Sequence, residues 1–200
     1  MRYRYNEVNL HTHSYYCRHG KGEIVDYVNV AKAKGLLKVL GFSEHAPLPD
    51  RTLDYGTRMA YSELDDYERD VKRADGRGGI KVLLGAECDW IEDEAGYYRD
   101  ELLGERGYSY LLGSVHSMVS PVTGLDTYIS RIGIAFRPML PEYVRKYTKM
   151  LSSGLFLYGC HPDLYMADYR VWDENAKAAA KDIGECAKDC GVPLEMNDNG

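Results

Sequence analysis

The chain has 200 residues, of which 44% are hydrophobic and 28% are charged, and its net charge is −6 at pH 7. These values are typical of a globular domain and exclude a disordered, collagen-like or membrane-spanning chain, since no apolar run approaches the roughly 20 residues of a membrane helix. The acidic balance also disfavours general nucleic-acid binding, which usually requires a basic surface. The polar N-terminus predicts no signal peptide, and we therefore expect a cytoplasmic protein.

Short apolar runs alternate with amphipathic helical patterns along the chain. Strands are predicted at residues 7–10, 38–43, 80–84, 110–115, 155–158 and 192–196. Helices are predicted at residues 23–34, 62–74, 95–106, 141–153 and 173–190, with a capping box at 62–65 and an irregular stretch before the fourth helix. This alternation predicts an α/β fold with a parallel sheet.

The absence of a Pro/Ser-rich linker predicts a single domain over residues 1–200. A doubly wound sheet fits the strand count as well as a barrel does. A Gly-rich phosphate loop after the first strand would favour the doubly wound sheet, and the sequence has none.

The five cysteines are an odd number, and no Cys-x-x-Cys pair occurs, which predicts reduced thiols. Cys186 and Cys190 lie four residues apart on a predicted helix, where a metal pair is conceivable. Two small apolar residues on one helix face are the more common explanation of this spacing.

Ligand-type residues follow five successive predicted strands: His11, His45, Glu87, His116 and His161. In βα barrels the active site is built at the carboxyl ends of the strands. His11 and His13 are two residues apart, so in an extended segment both imidazoles point to one side and can reach the same metal ion. Histidine and carboxylate ligands suit Zn, Mn or Fe, and ligands from several strands imply more than one ion. Paired ions of this kind serve phosphoester hydrolysis.

The order of five motifs resembles the PHP (polymerase and histidinol phosphatase) superfamily. The motifs are Leu10-His-Thr-His-Ser14, Phe42-Ser-Glu-His45, Gly85-Ala-Glu87, Gly113-Ser-Val-His116 and His161-Pro-Asp163. Within that superfamily the chain is most similar to the histidinol-phosphatase family. The similarity lies in His19-Gly20, in Glu44-His45-Ala-Pro47-Leu-Pro49 with Arg58-Met59 downstream, and in Glu195-Met-Asn197.

The resemblance implies a distorted (β/α)7 TIM-like barrel that holds two or three divalent metal ions. His11, His13 and Glu87 would hold one ion. Glu87 would bridge to a second, held also by His116 and His161, and His19 and His45 would hold a third. The family pattern also has an Asp-x-His motif after the seventh strand, which this chain lacks. We therefore expect about six βα units and a barrel that is incomplete at its C-terminal end.

The resemblance further implies hydrolysis of a phosphomonoester, with L-histidinol phosphate of histidine biosynthesis as the expected small-molecule substrate. Arg58 is the best candidate to bind the phosphoryl oxygens, ahead of Arg131 and Arg137. Asp163, beside the ligand His161, is a candidate proton donor to the leaving group. Glu44, which precedes His45, is either a residue at the edge of the site or an ordinary loop carboxylate. Asn197 either orients the ligands or satisfies backbone groups at the end of the sixth predicted strand.

Three alternatives stay open. The first is another PHP phosphoesterase, which would act on nucleotides, phosphotyrosine or DNA ends. The second is an inactive truncated barrel, which would bind metal without turnover. A metal-dependent amidohydrolase is disfavoured because no lysine ends a predicted strand. We expect no membrane or nucleic-acid partner, and the sequence does not predict the oligomeric state.

Overall fold

The structure is a computed structural model that describes residues 7–49 and 56–196. It divides into two compact units. Unit 1 comprises Met1–Glu87 and Leu103–Tyr110, and unit 2 comprises Cys88–Leu102 and Leu111–Gly200. The single domain stays a prediction. Among the described residues, no helix is both long enough and apolar enough to cross a membrane.

Three parallel strands run through unit 1: β1 (Val8–Asn9), β2 (Val39–His45) and β3 (Lys81–Asp89), which ends in unit 2. Every residue of β2 is buried, as is typical of a strand within a parallel sheet. In the register of β2 and β3, His45 lies opposite Glu87. The pairing therefore brings two of the predicted ligands together at the carboxyl ends of neighbouring strands.

The first helix, α1 (Ile24–Lys34), follows the prediction closely. It buries Ile24, Val28 and Ala31, the face that the helical period indicated. Gly35 ends it in the left-handed conformation, with φ of 65°, and its N–H donates to the carbonyls of Ala31 and Lys32.

The second helix, α2 (Leu64–Ala74), begins differently from the prediction. A 3-10 turn at Tyr61–Glu63 precedes it. The predicted capping box at residues 62–65 is wrong, because the Glu63 carboxylate accepts the N–H of Ala60 at 2.7 Å and so satisfies the start of the 3-10 turn.

Unit 2 contains β4 (Tyr110–Ser114, whose first residue belongs to unit 1) and β7 (Tyr158–Gly159), which pair in parallel with Leu112 opposite Tyr158. An antiparallel hairpin of β5 (Ser117–Val119) and β6 (Asp126–Tyr128) lies in the stretch expected to be irregular. The helices are a π-helix at Tyr97–Glu105, which ends in unit 1, and α3 (Leu140–Ser152), α4 (Met166–Tyr169) and α5 (Glu174–Cys190).

The sixth predicted strand is wrong, because residues 192–196 form only an isolated bridge between Leu194 and Gly159. The carbonyl of Pro193 accepts the N–H of Gly159 at 3.0 Å, and the N–H of Glu195 donates to the Gly159 carbonyl at 2.9 Å. β7 has only two residues, and proline has no N–H with which to extend the ladder.

Tyrosines are the largest fully buried side chains of unit 2, and two of them also hold a loop in place. Tyr143 and Tyr147 on α3 are fully buried, and their hydroxyls donate to the carbonyls of Pro162 (3.2 Å) and Cys160 (2.7 Å). Burial raises the pKa of both hydroxyls well above the usual value, so both stay protonated donors. These two hydrogen bonds anchor the backbone on either side of His161.

Candidate metal centre

Three histidines converge on one carboxylate oxygen in unit 1. Oε2 of Glu87 lies 3.2 Å from Nε2 of His11, 3.2 Å from Nε2 of His13 and 3.2 Å from Nδ1 of His45. The Nε2 atoms of His11 and His13 are themselves 3.1 Å apart. Glu87 and His45 are buried, whereas His11 and His13 are half-buried, so the cluster lies at the edge of the core.

The backbone explains why the first two histidines face the same way. The segment after β1 continues beside β2, where the carbonyl of Thr12 accepts the N–H of Ser43 at 3.0 Å. The N–H of Thr12 donates to Oγ of Ser43 at 3.1 Å. Because Thr12 is held against β2, the residues on either side of it project together toward Glu87.

The donor set fits a divalent cation. Nitrogen and oxygen ligands about 2.1 Å from a tetrahedral ion lie about 3.4 Å from one another. The separations of 3.1–3.2 Å within this cluster are close to that value. Nε2 of His11 and Nε2 of His13 face each other, and both face the Glu87 carboxylate. Because lone pairs at this distance repel one another, a proton or a cation must lie between them. A single cation placed among these atoms would satisfy all of their lone pairs at once.

A second buried carboxylate stands behind His13. Oε1 of Glu44 accepts the N–H of Ser14 at 2.7 Å, and Oε2 lies 3.9 Å from Nδ1 of His13. Burial lowers the pKa of His13, but its interactions with Cys17, Glu44 and Glu87 outweigh burial and raise the pKa to about 11. Sequence reasoning left the role of Glu44 open; the structure places its carboxylate at ion-pair distance from the His13 ring, 3.9 Å away and too far for a hydrogen bond.

His19 lies at the rim of the same cluster. Its ring centroid is 5.0 Å from that of His13 and 5.2 Å from that of His45. Sequence reasoning missed Cys17, whose sulfur is 3.8 Å from Nε2 of His19. Burial raises the pKa of the Cys17 thiol, but interactions with His13 and His19 outweigh it and lower the pKa to about 7. The spacing His13-x3-Cys17-x-His19 is the sequence feature that could have identified Cys17 as part of this cluster.

The remaining two histidines lie in unit 2 beside an aspartate that sequence reasoning also missed. The rings of His116 and His161 are 4.8 Å apart between centroids. Nδ1 of His116 lies 2.7 Å from Oδ1 of Asp89, and Tyr128 stacks on the His116 ring. Asp89 follows Glu87 by two residues on β3, and this strand period was the signal that could have identified it.

The backbone of His161 has an unusual conformation, with φ of 29°. Few non-glycine residues adopt positive φ, and those that do often cluster at functional sites. Its N–H donates to Oε2 of Glu195 at 3.1 Å. The turn directs the chain away from β7 and leaves the His161 ring beside His116.

The two predicted catalytic residues fall in different units. Arg58, in unit 1, is buried, and its Nη1 donates to the carbonyl of Ala46, the residue after His45, at 2.8 Å. Asp163, in unit 2, is half-buried in the turn that follows His161. Arg131 and Arg137 are exposed, and Arg137 lies over the Tyr169 ring. Asn197 lies outside the described residues.

The sequence matches a known domain family over most of its length. The PHP domain family model matches residues 9–199. The chain is 27% identical over 159 residues to the probable histidinol-phosphatase of Schizosaccharomyces pombe, covering 75% of this chain and 48% of that protein. It is 32% identical over 100 residues to the histidinol-phosphatase of Bacillus subtilis, covering 45% of this chain and 37% of that protein. The chain thus matches half or less of the length of these relatives.

Solved structures share the fold. A proposed histidinol phosphatase of Listeria monocytogenes aligns with a TM-score of 0.76 and 17% identity, covering 96% of this chain and 82% of that one. The histidinol phosphate phosphatase of Lactococcus lactis, complexed with Zn, L-histidinol and phosphate, aligns with a TM-score of 0.73 and 16% identity, covering 96% and 73%. The predicted fold class, an α/β incomplete TIM-like barrel, is confirmed. Since the family match also extends over nearly the whole sequence, the chain belongs to the PHP domain family.

Proposed function

We propose that the chain is a metal-dependent phosphatase that converts L-histidinol phosphate and water to L-histidinol and phosphate, the reaction of histidine biosynthesis. The observation that carries the proposal is the convergence of His11, His13 and His45 on one oxygen of Glu87. The relatives named histidinol-phosphatase and the L-histidinol and phosphate bound in the Lactococcus lactis structure support the choice of substrate. Five free cysteines support a reducing, cytoplasmic location.

We propose two or three divalent ions, with Zn, Mn or Fe as the candidates. His11, His13 and Glu87 hold one ion, His19 and His45 contribute to another, and His116 and His161 hold an ion in unit 2. When bound, such ions activate water for attack on phosphorus and neutralise the phosphoryl oxygens. Asp89 orients the imidazole of His116, as carboxylates commonly do for metal-binding histidines, and Glu44 adds negative charge beside His13.

Two further side chains have proposed roles in the reaction. Nη1 of Arg58 donates to the Ala46 carbonyl, and this bond holds the guanidinium beside the residue that follows His45, where it would contact phosphoryl oxygens. Asp163 supplies a proton to the leaving alkoxide, and its position two residues beyond His161 supports this role.

The test is phosphate release by the 200-residue chain loaded with Zn²⁺ or Mn²⁺. We expect turnover of L-histidinol phosphate and its loss in Glu87→Gln, while Glu105→Gln, on the exposed side of the π-helix, keeps it. Turnover of only a nucleoside monophosphate or a phosphotyrosine peptide would overturn the substrate. Two or three bound ions without turnover of any of the three would favour the inactive metal-binding barrel.

A further inference from the structure

We infer that Cys17 is a metal ligand, which together with Nε2 of His19 forms a sulfur–nitrogen position for Zn²⁺ in unit 1. The inference rests on the proposed metal dependence and deepens it, because it selects one ion for one position. None of the ligand assignments above includes a sulfur atom.

The separation of the two donor atoms fits one tetrahedral ion. With a Zn–S distance of about 2.3 Å and a Zn–N distance of about 2.1 Å, the sulfur and nitrogen lie about 3.6 Å apart. Sγ of Cys17 and Nε2 of His19 lie 3.8 Å apart. A ring nitrogen of His13, the Cys17 sulfur and a ring nitrogen of His19 all lie within 4.8 Å of one another. The sulfur thus borders the histidine cluster rather than an apolar core.

The local backbone brings the two side chains together. Arg18 adopts the left-handed conformation, with φ of 66°, and so turns the chain between Cys17 and His19. Gly20 follows, and a Cβ there would lie 2.2 Å from the carbonyl oxygen of Ser14. Only glycine permits this approach, and it places the N–H of Gly20 3.2 Å from Sγ of Cys17.

The hydrogen bonds around the sulfur suit both of its protonation states. As a thiol, Cys17 donates to the Ser14 carbonyl at 3.0 Å. When a Zn–S bond forms, this proton leaves to solvent, and the Gly20 N–H remains as a donor to the thiolate. Cys17 is fully buried, so few other positions are open to the sulfur.

A thiolate ligand changes which ion this position prefers. Thiolates favour Zn²⁺ and other soft or borderline ions, whereas Mn²⁺ prefers carboxylate, carbonyl and water oxygen. The Cys17–His19 position should therefore retain Zn²⁺ or Co²⁺ under conditions in which Mn²⁺ exchanges.

The experiment uses Co²⁺ as a spectroscopic probe in the 200-residue chain. The parent protein carries Cys186→Ser and Cys190→Ser, because these half-exposed and exposed thiols lie 3.9 Å apart and would bind cobalt themselves. We expect a near-ultraviolet thiolate-to-Co²⁺ charge-transfer band in the parent. Cys17→Ser should lose it and keep the visible bands of histidine-bound Co²⁺. The matched control is Cys88→Ala, a buried thiol that alternates with Glu87 and Asp89 along β3, and it should retain the band.

A second measurement leaves residue 17 unaltered and so does not depend on the folding of a variant. In the parent loaded with Co²⁺, equimolar Zn²⁺ should displace the cobalt and remove the charge-transfer band, and equimolar Mn²⁺ should remove it much less.

The outcomes separate this inference from the proposed function. Visible cobalt bands without a charge-transfer band, a band that survives Cys17→Ser, or equal loss of the band with Zn²⁺ and Mn²⁺ would each overturn the Cys17 assignment while leaving metal dependence intact. If neither kind of band appears and no Co²⁺ binds, the proposed metal dependence fails as well.

Discussion

His116 makes two contacts with a single oxygen of Asp89: its ring Nδ1 lies 2.7 Å from Oδ1, and its backbone N–H donates to the same atom at 3.0 Å. A carboxylate can only accept, so the proton of a neutral imidazole resides on Nδ1. Nε2 is therefore left with its lone pair. The aspartate selects the tautomer that binds a cation.

We predict that Asp89→Asn weakens Zn²⁺ affinity by roughly 10–100-fold, the usual cost of losing a carboxylate that orients a metal-binding histidine. Competition with a chromophoric chelator measures the affinity. Asp182→Asn, on the exposed face of α5, is the matched control and should leave it unchanged. An unchanged affinity in Asp89→Asn would show that the contact serves folding alone.

Arg58→Lys should lower kcat/KM for the phosphomonoester by about 10²-fold, in the range for removing one preorganised donor to a developing oxyanion. Lysine offers a single ammonium and cannot contact both the Ala46 carbonyl and a phosphoryl oxygen in the same geometry. Steady-state kinetics at matched metal content provides the test, with exposed Arg137→Lys as the control. A fall in thermal stability with unchanged kinetics would contradict the assigned role.

The ring of Tyr110 occupies space that two glycines leave open. A Cβ at Gly85 would lie 2.3 Å from the Tyr110 ring, and one at Gly41 would lie 2.1 Å from its hydroxyl. That hydroxyl donates to the Leu10 carbonyl at 2.7 Å and so steadies the residue before His11.

We therefore predict that Gly85→Ala destabilises the chain by about 1–3 kcal/mol, because the core around it is overpacked. Tyr110→Phe should cost about 0.5–1.5 kcal/mol through the lost hydrogen bond. Urea unfolding measures both. Gly184→Ala in α5, where an added Cβ meets nothing within 4 Å, is the control and should be neutral or stabilising. Equal effects at positions 85 and 184 would refute the steric explanation.

Asp75, at the turn between α2 and β3, should make a pH-dependent contribution to the free energy of unfolding. Its carboxylate contacts Nζ of Lys81 and accepts the N–H of Val82 at 2.9 Å. The hydrogen bond with Lys81, followed by that with Val82, holds the pKa of Asp75 below its ordinary value of 3.8. Because the folded pKa is lowered, the stabilisation is present above pH 3.8 and is lost as pH falls through the folded pKa.

Asp75→Asn should accordingly lower the urea midpoint at pH 7, and the gap from the parent should close progressively as the pH falls below 3.8. Unfolding curves at several pH values test this, with Asp182→Asn as the comparison. A gap that stays constant over the acid range would mean that the charge of Asp75 contributes nothing.

The sequence alone predicted the elements whose signals are local. The α5 helix begins after Asp173, whose carboxylate caps the N–H groups of Asn175 and Ala176, and ends at Gly191 with positive φ, as its composition indicated. Placement after successive strands also identified His11, His45 and Glu87 as partners. The reason is that parallel strands present their carboxyl ends at one edge, so strand order along the chain already implies proximity.

The sequence did not correctly predict the elements that depend on pairing with another strand. The β5–β6 hairpin has strands of only three residues each, too short for a period to show. The segment at 192–196 has strand-like composition but finds a two-residue partner, so only one bridge forms.

The candidate metal site also combines features that the sequence predicts with contacts that only the tertiary structure shows. Residue types and spacing predicted which histidines and which glutamate form the candidate metal site, because imidazole and carboxylate chemistry is a property of the residues themselves. Only the tertiary structure decided that one oxygen of Glu87 would face three of those histidines and that Asp89 would select the tautomer of His116. It also decided that the Cys17 sulfur would lie beside His19. These contacts depend on strand register and on backbone turns. A shift of a few tenths of an ångström would alter them, and the order of residue types along the chain does not specify positions so finely.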